Sequence, residues 1–154
     1  MDDISSENLS GKKQYCAVYG QPIKHSASPA MHNPAIDELG LNWQYLAKEV
    51  PPENLSKEIK KAKTLRYIGL NLTVPHKILA MEMVDILDDS AKKWGAVNTI
   101  SFEIKNKKNV WTPLGHITDL QQGELRTKGY NTDADGITLA LKKDLGLNLK
   151  GLKV

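Results

Sequence analysis

Four short stretches carry polar side chains that a plain connecting loop does not require. The first is HSASP, with Ser26 and Ser28. Two hydroxyls beside the N-terminus of a helix make a small anion site, suited to a carboxylate. The second is NLTVPHK, with Asn71, Thr73 and Lys77. In a helix opening at Pro75, Lys77 is the second or third residue and faces the positive end of the helix dipole. That field, together with burial, is expected to pull its pKa down, and a lysine so tuned can give and take protons. The third is GAVNT, with Asn98, and the fourth is YNTDADG, with Asn131, Thr132 and Asp133. Together they suit a compact polyhydroxylated acid. Its carboxylate lies at Ser26 and Ser28, its hydroxyls at Asn71, Thr73 and Asn98, and its reactive carbon near Lys77 and Asp133. Each residue taken singly also has a structural reading. Ser28 can cap a helix, Asn71 and Thr73 can form the polar face of a half-buried strand, and Asp133 suits the first turn of a helix.

The elements that must position these residues follow from apolar periodicity and from proline and glycine punctuation. Tyr15–Tyr19 reads as a buried strand ended by Gly20. A helix starts at Ser28 and Pro29, with Met31, Ala35, Ile36 and Leu39 on one face and Gly40 as its stop. Trp43–Val50 is a second strand, broken by Pro51 and Pro52. Leu55, Ile59 and Ala62 mark a surface helix. Tyr67–Val74 is a third strand. From Pro75 a helix is expected through HKILAMEMVDIL, apolar nearly all round and hence well buried. A short polar helix over residues 88–94 and a strand over Val97–Ile104 come next, then a hairpin turn at KNKKN (105–109). Residues 110–128 give no clear pattern. A strand ends near Tyr130, and a helix after Thr132 carries Ile137, Ala140, Leu141 and Leu145 on one face and closes at Gly146. Strands alternating with helices imply an α/β fold of three layers, α/β/α, around a mixed, mostly parallel sheet. In such sheets ligands bind beyond the carboxyl ends of the strands.

Composition narrows the function classes. The 154 residues carry a net charge of +3, and that small excess is nearly all lysine, with Arg66 and Arg126 the only arginines. Arginine is the preferred reader of base edges, so no nucleic-acid partner is expected. No apolar stretch approaches the roughly 18 residues that span a bilayer, so no membrane partner is expected either. The polar opening, residues 1–13, reads as a disordered tail and not as a signal or transit peptide. Cys16 is the single cysteine. It reads as a buried strand residue in a reducing, cytoplasmic setting. The histidines His25, His32, His76 and His116 lack a ligand spacing, so no metal is expected; His25 and His76 read as polar loop residues near the site.

In this order, YGQPIKHSASPAMHN, GLNLTVPHK, GAVNT and YNTDADG resemble the N-terminal substrate-binding domain of the shikimate dehydrogenase family, from about Tyr15 to Val154. The resemblance implies the amino-acid-dehydrogenase-like N-terminal fold and an enzyme that reduces 3-dehydroshikimate to shikimate with NADPH, on the route to aromatic amino acids. It implies Lys77 and Asp133 as the catalytic pair. Ser26 and Ser28 would hold the substrate carboxylate, and Asn71, Thr73, Asn98 and Thr132 would bind the ring and its hydroxyls. Residues 14–150 would form the shikimate- or 3-dehydroshikimate-binding catalytic domain. Residues 151–154 would open a truncated Rossmann domain that binds NADP in the family. The sequence contains no G-x-G-x-x-G, so no cofactor-binding residues are expected in it and the chain alone is expected not to turn over. The stretch 105–128 is longer than the family's hairpin and has no family role. A quinate-using dehydrogenase and a non-catalytic module for small acids are the rival readings, and a homodimer is among the assemblies open to the chain.

Overall fold

The computed structural model describes residues 13–117, 123–147 and 151. The expected tail at 1–13, Lys13 apart, and the expected second-domain start at 151–154, Gly151 apart, lie outside the described residues. The strands are β1 (Gln14–Gly20), β2 (Trp43–Glu49), β3 (Gly69–Leu72), β4 (Ile86–Leu87), β5 (Thr99–Lys105), β6 (Trp111–Pro113) and β7 (Leu125–Tyr130). The helices are α1 (Ser28–Glu38), α2 (Leu55–Thr64), α3 (His76–Leu79), α4 (Asp89–Trp94) and α5 (Asp133–Leu145). No helix among the described residues is long and apolar enough to cross a membrane.

The seven strands form one sheet in the order β2-β1-β3-β5-β7-β4, with β6 paired to β5 off this path. β1 runs parallel to β2 and β3, and β4 parallel to β7. β5 is antiparallel to β3, β6 and β7. Among the described strands β5 alone therefore runs against the rest, so the sheet is mixed and mostly parallel. Its reversal brings the start of β5 to the edge where β1, β3 and β7 end, since Asn71 pairs with Thr99 and Thr99 with Tyr130. β6 takes up the edge of β5 beyond the start of β3.

Alternation along β1 separates the two faces. Ala17 and Tyr19 join the larger core with Leu70, Leu72, Ile100 and Phe102, covered by Leu55, Ile59 and Ala62 of α2 and Ala91 of α4. Val18 faces the other way and packs with Ile23, Tyr45 and Ile36 of α1. Cys16 is half-buried on that second face, and burial pushes its thiol pKa up to about 11. Left-handed glycines end α1 and α5, Gly40 at φ +64° and Gly146 at φ +65°.

Expectations fail, in whole or in part, on three helices. The long helix from Pro75 is one turn: after Leu79 the chain passes through a 3₁₀ turn at Ala80–Glu82 into β4. Ile78 is 73% exposed, not buried. The cause is a clasp to β7, 42 residues away. The Asp85 carboxylate accepts from the Thr127 amide at 2.7 Å and its hydroxyl at 2.9 Å, while the Asp85 amide donates to that hydroxyl at 2.8 Å. These bonds hold the segment extended against β7. On α1, Ile36 is buried, but Met31 and Leu39 are exposed, so the expected apolar face is only partly used. The apolar face expected on α5 exists in sequence but is uncovered, with Ile137 63% and Leu145 65% exposed. The stretch without a pattern supplies β6 and β7, and its Leu114 is fully buried in the larger core.

Candidate active site

The polar stretches converge on the sheet edge where β1, β3 and β7 end. The loop after β1 turns back on itself, with the Ser26 amide donating to the Ile23 carbonyl at 2.9 Å. The Ser26 hydroxyl oxygen accepts from the Ser28 amide at 3.3 Å. Ser28 is the first residue of α1 and not its cap; the cap position is Ala27, whose side chain accepts no hydrogen bond. The capping role expected for Ser28 is therefore corrected: Ser28 lies one residue past the cap position. Ser26, Ser28, His25 and Thr73 line a cavity of about 310 Å³, at the lower end of the range typical of small-molecule sites.

Thr73 closes this cavity from the end of β3. Its amide donates to the Tyr19 carbonyl at 3.0 Å. Gly20 makes the approach possible, because a Cβ there would stand 2.4 Å from Thr73 Cγ2. The loops after β1 and β3 are joined by the Gln21 amide, which donates to the Val74 carbonyl at 3.0 Å.

Lys77 and Asp133, 56 residues apart in sequence, form an ion pair, with Nζ 2.7 Å from Oδ2. Their side chains are 35% and 47% exposed, so the pair faces solvent at the mouth of the site. The dipole of a long buried helix, invoked for Lys77 from the sequence, is absent, because α3 has four residues. What holds Lys77 is its carbonyl, which accepts from the Val97 amide at 2.7 Å, and the carboxylate of Asp133.

Asn98 is 7% exposed and fully engaged by protein. Its Nδ2 donates to Asp133 Oδ1 at 2.6 Å and to Thr132 Oγ1 at 2.9 Å. Its Oδ1 accepts from the Thr132 amide at 3.0 Å and the Thr99 hydroxyl at 3.1 Å. Asn71 lies opposite Thr99 across the β3–β5 pair and donates Nδ2 to Thr99 Oγ1 at 3.1 Å, while its Oδ1 accepts from Tyr45 at 2.7 Å. Tyr45 is itself held by Asn33 of α1, which exchanges hydrogen bonds with its backbone, and by the ring of His32 stacked on it at 4.3 Å. Burial pushes the Tyr45 pKa up to about 12, so the phenol remains a donor.

Lys77, Asn98, Thr132 and Asp133 are thus in direct contact. Asn71 reaches them through Thr99, and Tyr45 extends the chain of bonds to β2. Of the eight residues named from the sequence, Asn71, Lys77, Asn98, Thr132 and Asp133 share this network and Ser26, Ser28 and Thr73 line the cavity; Tyr45 and Thr99 were missed and Asn131 was given no role. Asn131 is buried. Its Oδ1 accepts from the Asp133 and Ala134 amides at 3.2 and 3.3 Å, and its Nδ2 donates to the Ala96 carbonyl at 3.1 Å. It therefore caps α5 and sets Asp133 in place. Thr99 lay within the GAVNT motif; Tyr45 carried no signal beyond an aromatic in a strand. His76 is also corrected. It is a fully buried core residue whose ring Nε2 meets the Val50 carbonyl at 2.8 Å, whereas His25 is exposed at the cavity rim. Among the described residues no group of three or more His, Cys, Asp or Glu could hold a metal ion.

Residues 18–100 match the shikimate dehydrogenase substrate binding domain. The chain belongs to that family. It is 38% identical over 148 residues to the NADP(+) shikimate dehydrogenase of Methanopyrus kandleri, covering 96% of this chain and 44% of that protein. Among solved structures, a shikimate dehydrogenase in complex with NADP+ is 37% identical with a TM-score of 0.71, over 88% of this chain and 40% of that one. The Thermus thermophilus enzyme in complex with shikimate is 35% identical with a TM-score of 0.69, over 90% and 45%. This member of the shikimate dehydrogenase family thus spans less than half the length of these relatives.

Proposed function

We propose that residues 14–150 form the substrate domain of an NADP-dependent shikimate dehydrogenase, taking 3-dehydroshikimate and shikimate in a cytoplasmic setting. The observation that carries this reading is the Lys77–Asp133 pair, 2.7 Å apart and tied through Asn98 and Thr99 to Asn71. The substrate carboxylate docks on the hydroxyls of Ser26 and Ser28. Asn71, whose second N–H has no acceptor among the described residues, and Thr73 take ring hydroxyls. Asn98 and Thr132 join them when a substrate hydroxyl replaces their mutual bond. Lys77 holds a proton at the carbonyl oxygen that becomes the new hydroxyl, and Asp133 keeps the ammonium aimed at it. NADP supplies hydride chemistry in this family. This chain offers it no cradle, since the sequence has no G-x-G-x-x-G to approach a pyrophosphate; its binding falls to the part of the relatives that this chain does not cover.

The test is titration of the chain with shikimate and with its methyl ester, followed by NMR. Shikimate is expected to bind weakly, around millimolar, because a single domain does not close over the ligand, and to shift resonances of Ser26, Ser28 and Thr73. Ser26→Ala and Ser28→Ala should each weaken it by about 1–3 kcal/mol, the worth of a hydrogen bond to a charged group. Equal binding of acid and ester would remove the serines from this role.

A further inference from the structure

The hydrogen bonds of the site form one directed chain, and its direction is set at Asn98 by a carboxylate on one side and a backbone amide on the other. An ionised carboxylate only accepts and a backbone N–H only donates, so Asp133 takes the NH₂ of Asn98 and the Thr132 amide takes its oxygen. The oxygen of Asn98 then faces Thr99, which must donate to it. With its only proton committed, Thr99 can only accept from Asn71, which therefore turns its NH₂ to Thr99 and its oxygen to Tyr45. Tyr45, in turn, must donate. The orientation of two carboxamides and a phenol thus follows from one carboxylate and one backbone amide, across β5, β3 and β2. The single hydroxyl of Thr99 is the link through which it passes.

Resting on the function proposed above, we propose that Thr99 is a positioning residue. It transmits the orientation of Asn98, held by the Asp133 carboxylate and the Thr132 amide, to Asn71 and so fixes which end of the Asn71 amide is offered to a substrate hydroxyl. Three observations support it. Thr99 and Asn71 are direct partners in the β3–β5 register, where side chains on one face meet. Every step from Tyr45 to Lys77 lies between 2.6 and 3.1 Å. Asn71 and Asp133 share no direct bond, so coupling between them has to pass through Thr99 and Asn98.

The experiment compares the chain carrying Thr99→Val, which keeps the shape and removes the hydroxyl, with Thr99→Ser, which restores it. Side-chain amide resonances of Asn71 are recorded without ligand, with and without Asp133→Asn. Asp133→Asn is expected to shift the Asn71 side-chain amide in the wild-type and Thr99→Ser backgrounds and to leave it unmoved in Thr99→Val. Shikimate affinity is expected to fall about tenfold or more in Thr99→Val and to stay within about threefold in Thr99→Ser. An Asn71 shift of the same size with valine at position 99, or none in the wild type, overturns the proposal. The ligand-free spectra separate the two readings: failure of the wild type to bind shikimate sinks the substrate assignment, while the coupling is read independently of it. If Thr99→Val does not fold, the proposal stands or falls on the same amide comparison in Thr99→Ala, with Thr99→Ser as the rescue.

Discussion

Replacing Asn131 by alanine should loosen α5 while leaving the sheet intact. The helix has 13 residues, close to the length below which isolated helices are marginal in water, and Gly136 lowers its propensity further. It buries no residue against the rest of the molecule. Its attachment is concentrated at the N-terminus, where Asn131 accepts from the Asp133 and Ala134 amides and donates to the Ala96 carbonyl. Loss of a cap costs about 1 kcal/mol, and loss of the bond to Ala96 about 1 kcal/mol more. The sum, about 2 kcal/mol, corresponds to roughly a 30-fold rise in local opening. Hydrogen exchange followed by mass spectrometry or NMR should therefore show faster exchange across residues 134–145, with β1, β3 and β5 unchanged. Shikimate affinity should fall with it, because Asp133 sits on the first turn. A uniform loss of protection across the sheet would mean that Asn131 supports the core. Unchanged exchange in α5 would mean that the helix is held by something other than its N-terminal cap. Either result refutes the reasoning.

In a full-length shikimate dehydrogenase carrying this domain, Lys77→Met should lower kcat by about 10²–10⁴-fold with a much smaller change in KM, the usual worth of a positioned proton donor; a kcat within about threefold of wild type contradicts the assignment. His76 gives a pH dependence of stability. Burial holds its pKa below the ordinary 6.5, against a smaller raising effect of its bond to Val50. The unfolded chain therefore takes the proton first, so stability is full above about pH 6.5 and is lost as pH falls toward the lower folded value. Glu58, held below its usual range by its bond from Lys48, and Asp88, held there by the Ser90 amide, lose their contributions only at more acid pH. Melting curves at about pH 7.5 and about pH 5 should show a larger drop in Tm for the wild type than for His76→Gln, and equal drops would exclude His76 as the cause.

Much of the fold was legible because its boundaries are chemical. Gly20, Gly40 and the Pro51–Pro52 pair punctuate the first half, and the spacing of Leu55, Ile59 and Ala62 places all three in the core, where they are buried. The segment from His76 to Leu87 was not legible for a definite reason. A run that is apolar on every side has no phase, so periodicity cannot distinguish a buried helix from a turn followed by a strand. The choice is made by Asp85 and Thr127, and nothing local to either residue announces the other. The bare face of α5 marks a second limit: an amphipathic pattern states that a face is apolar, not what covers it.

The site was legible where a polar residue stands at a strand end and illegible where it stands within a strand. Ser26, Asn71, Thr73 and Asp133 were visible because the chain leaves the sheet near them. Tyr45 and Thr99 have side chains that any strand tolerates, and they gain meaning only from register, Cys16 opposite Tyr45 and Asn71 opposite Thr99. Asn98 shows how topology decides the matter. It precedes the first residue of its strand, and in an all-parallel sheet it would lie at the end opposite to Asn71 and Asp133. The reversal of β5 brings it to their side, 2.6 Å from the Asp133 carboxylate. The hairpin turn after β5 predicted one antiparallel partner, β6, but nothing local told that β3 on the same side and β7 on the other would also run against it. A single reversed strand therefore turns an asparagine at the start of a strand into the group that orients the acid of the ion pair, and any member of this fold that placed β5 parallel to β3 would lose that contact even with every site residue kept.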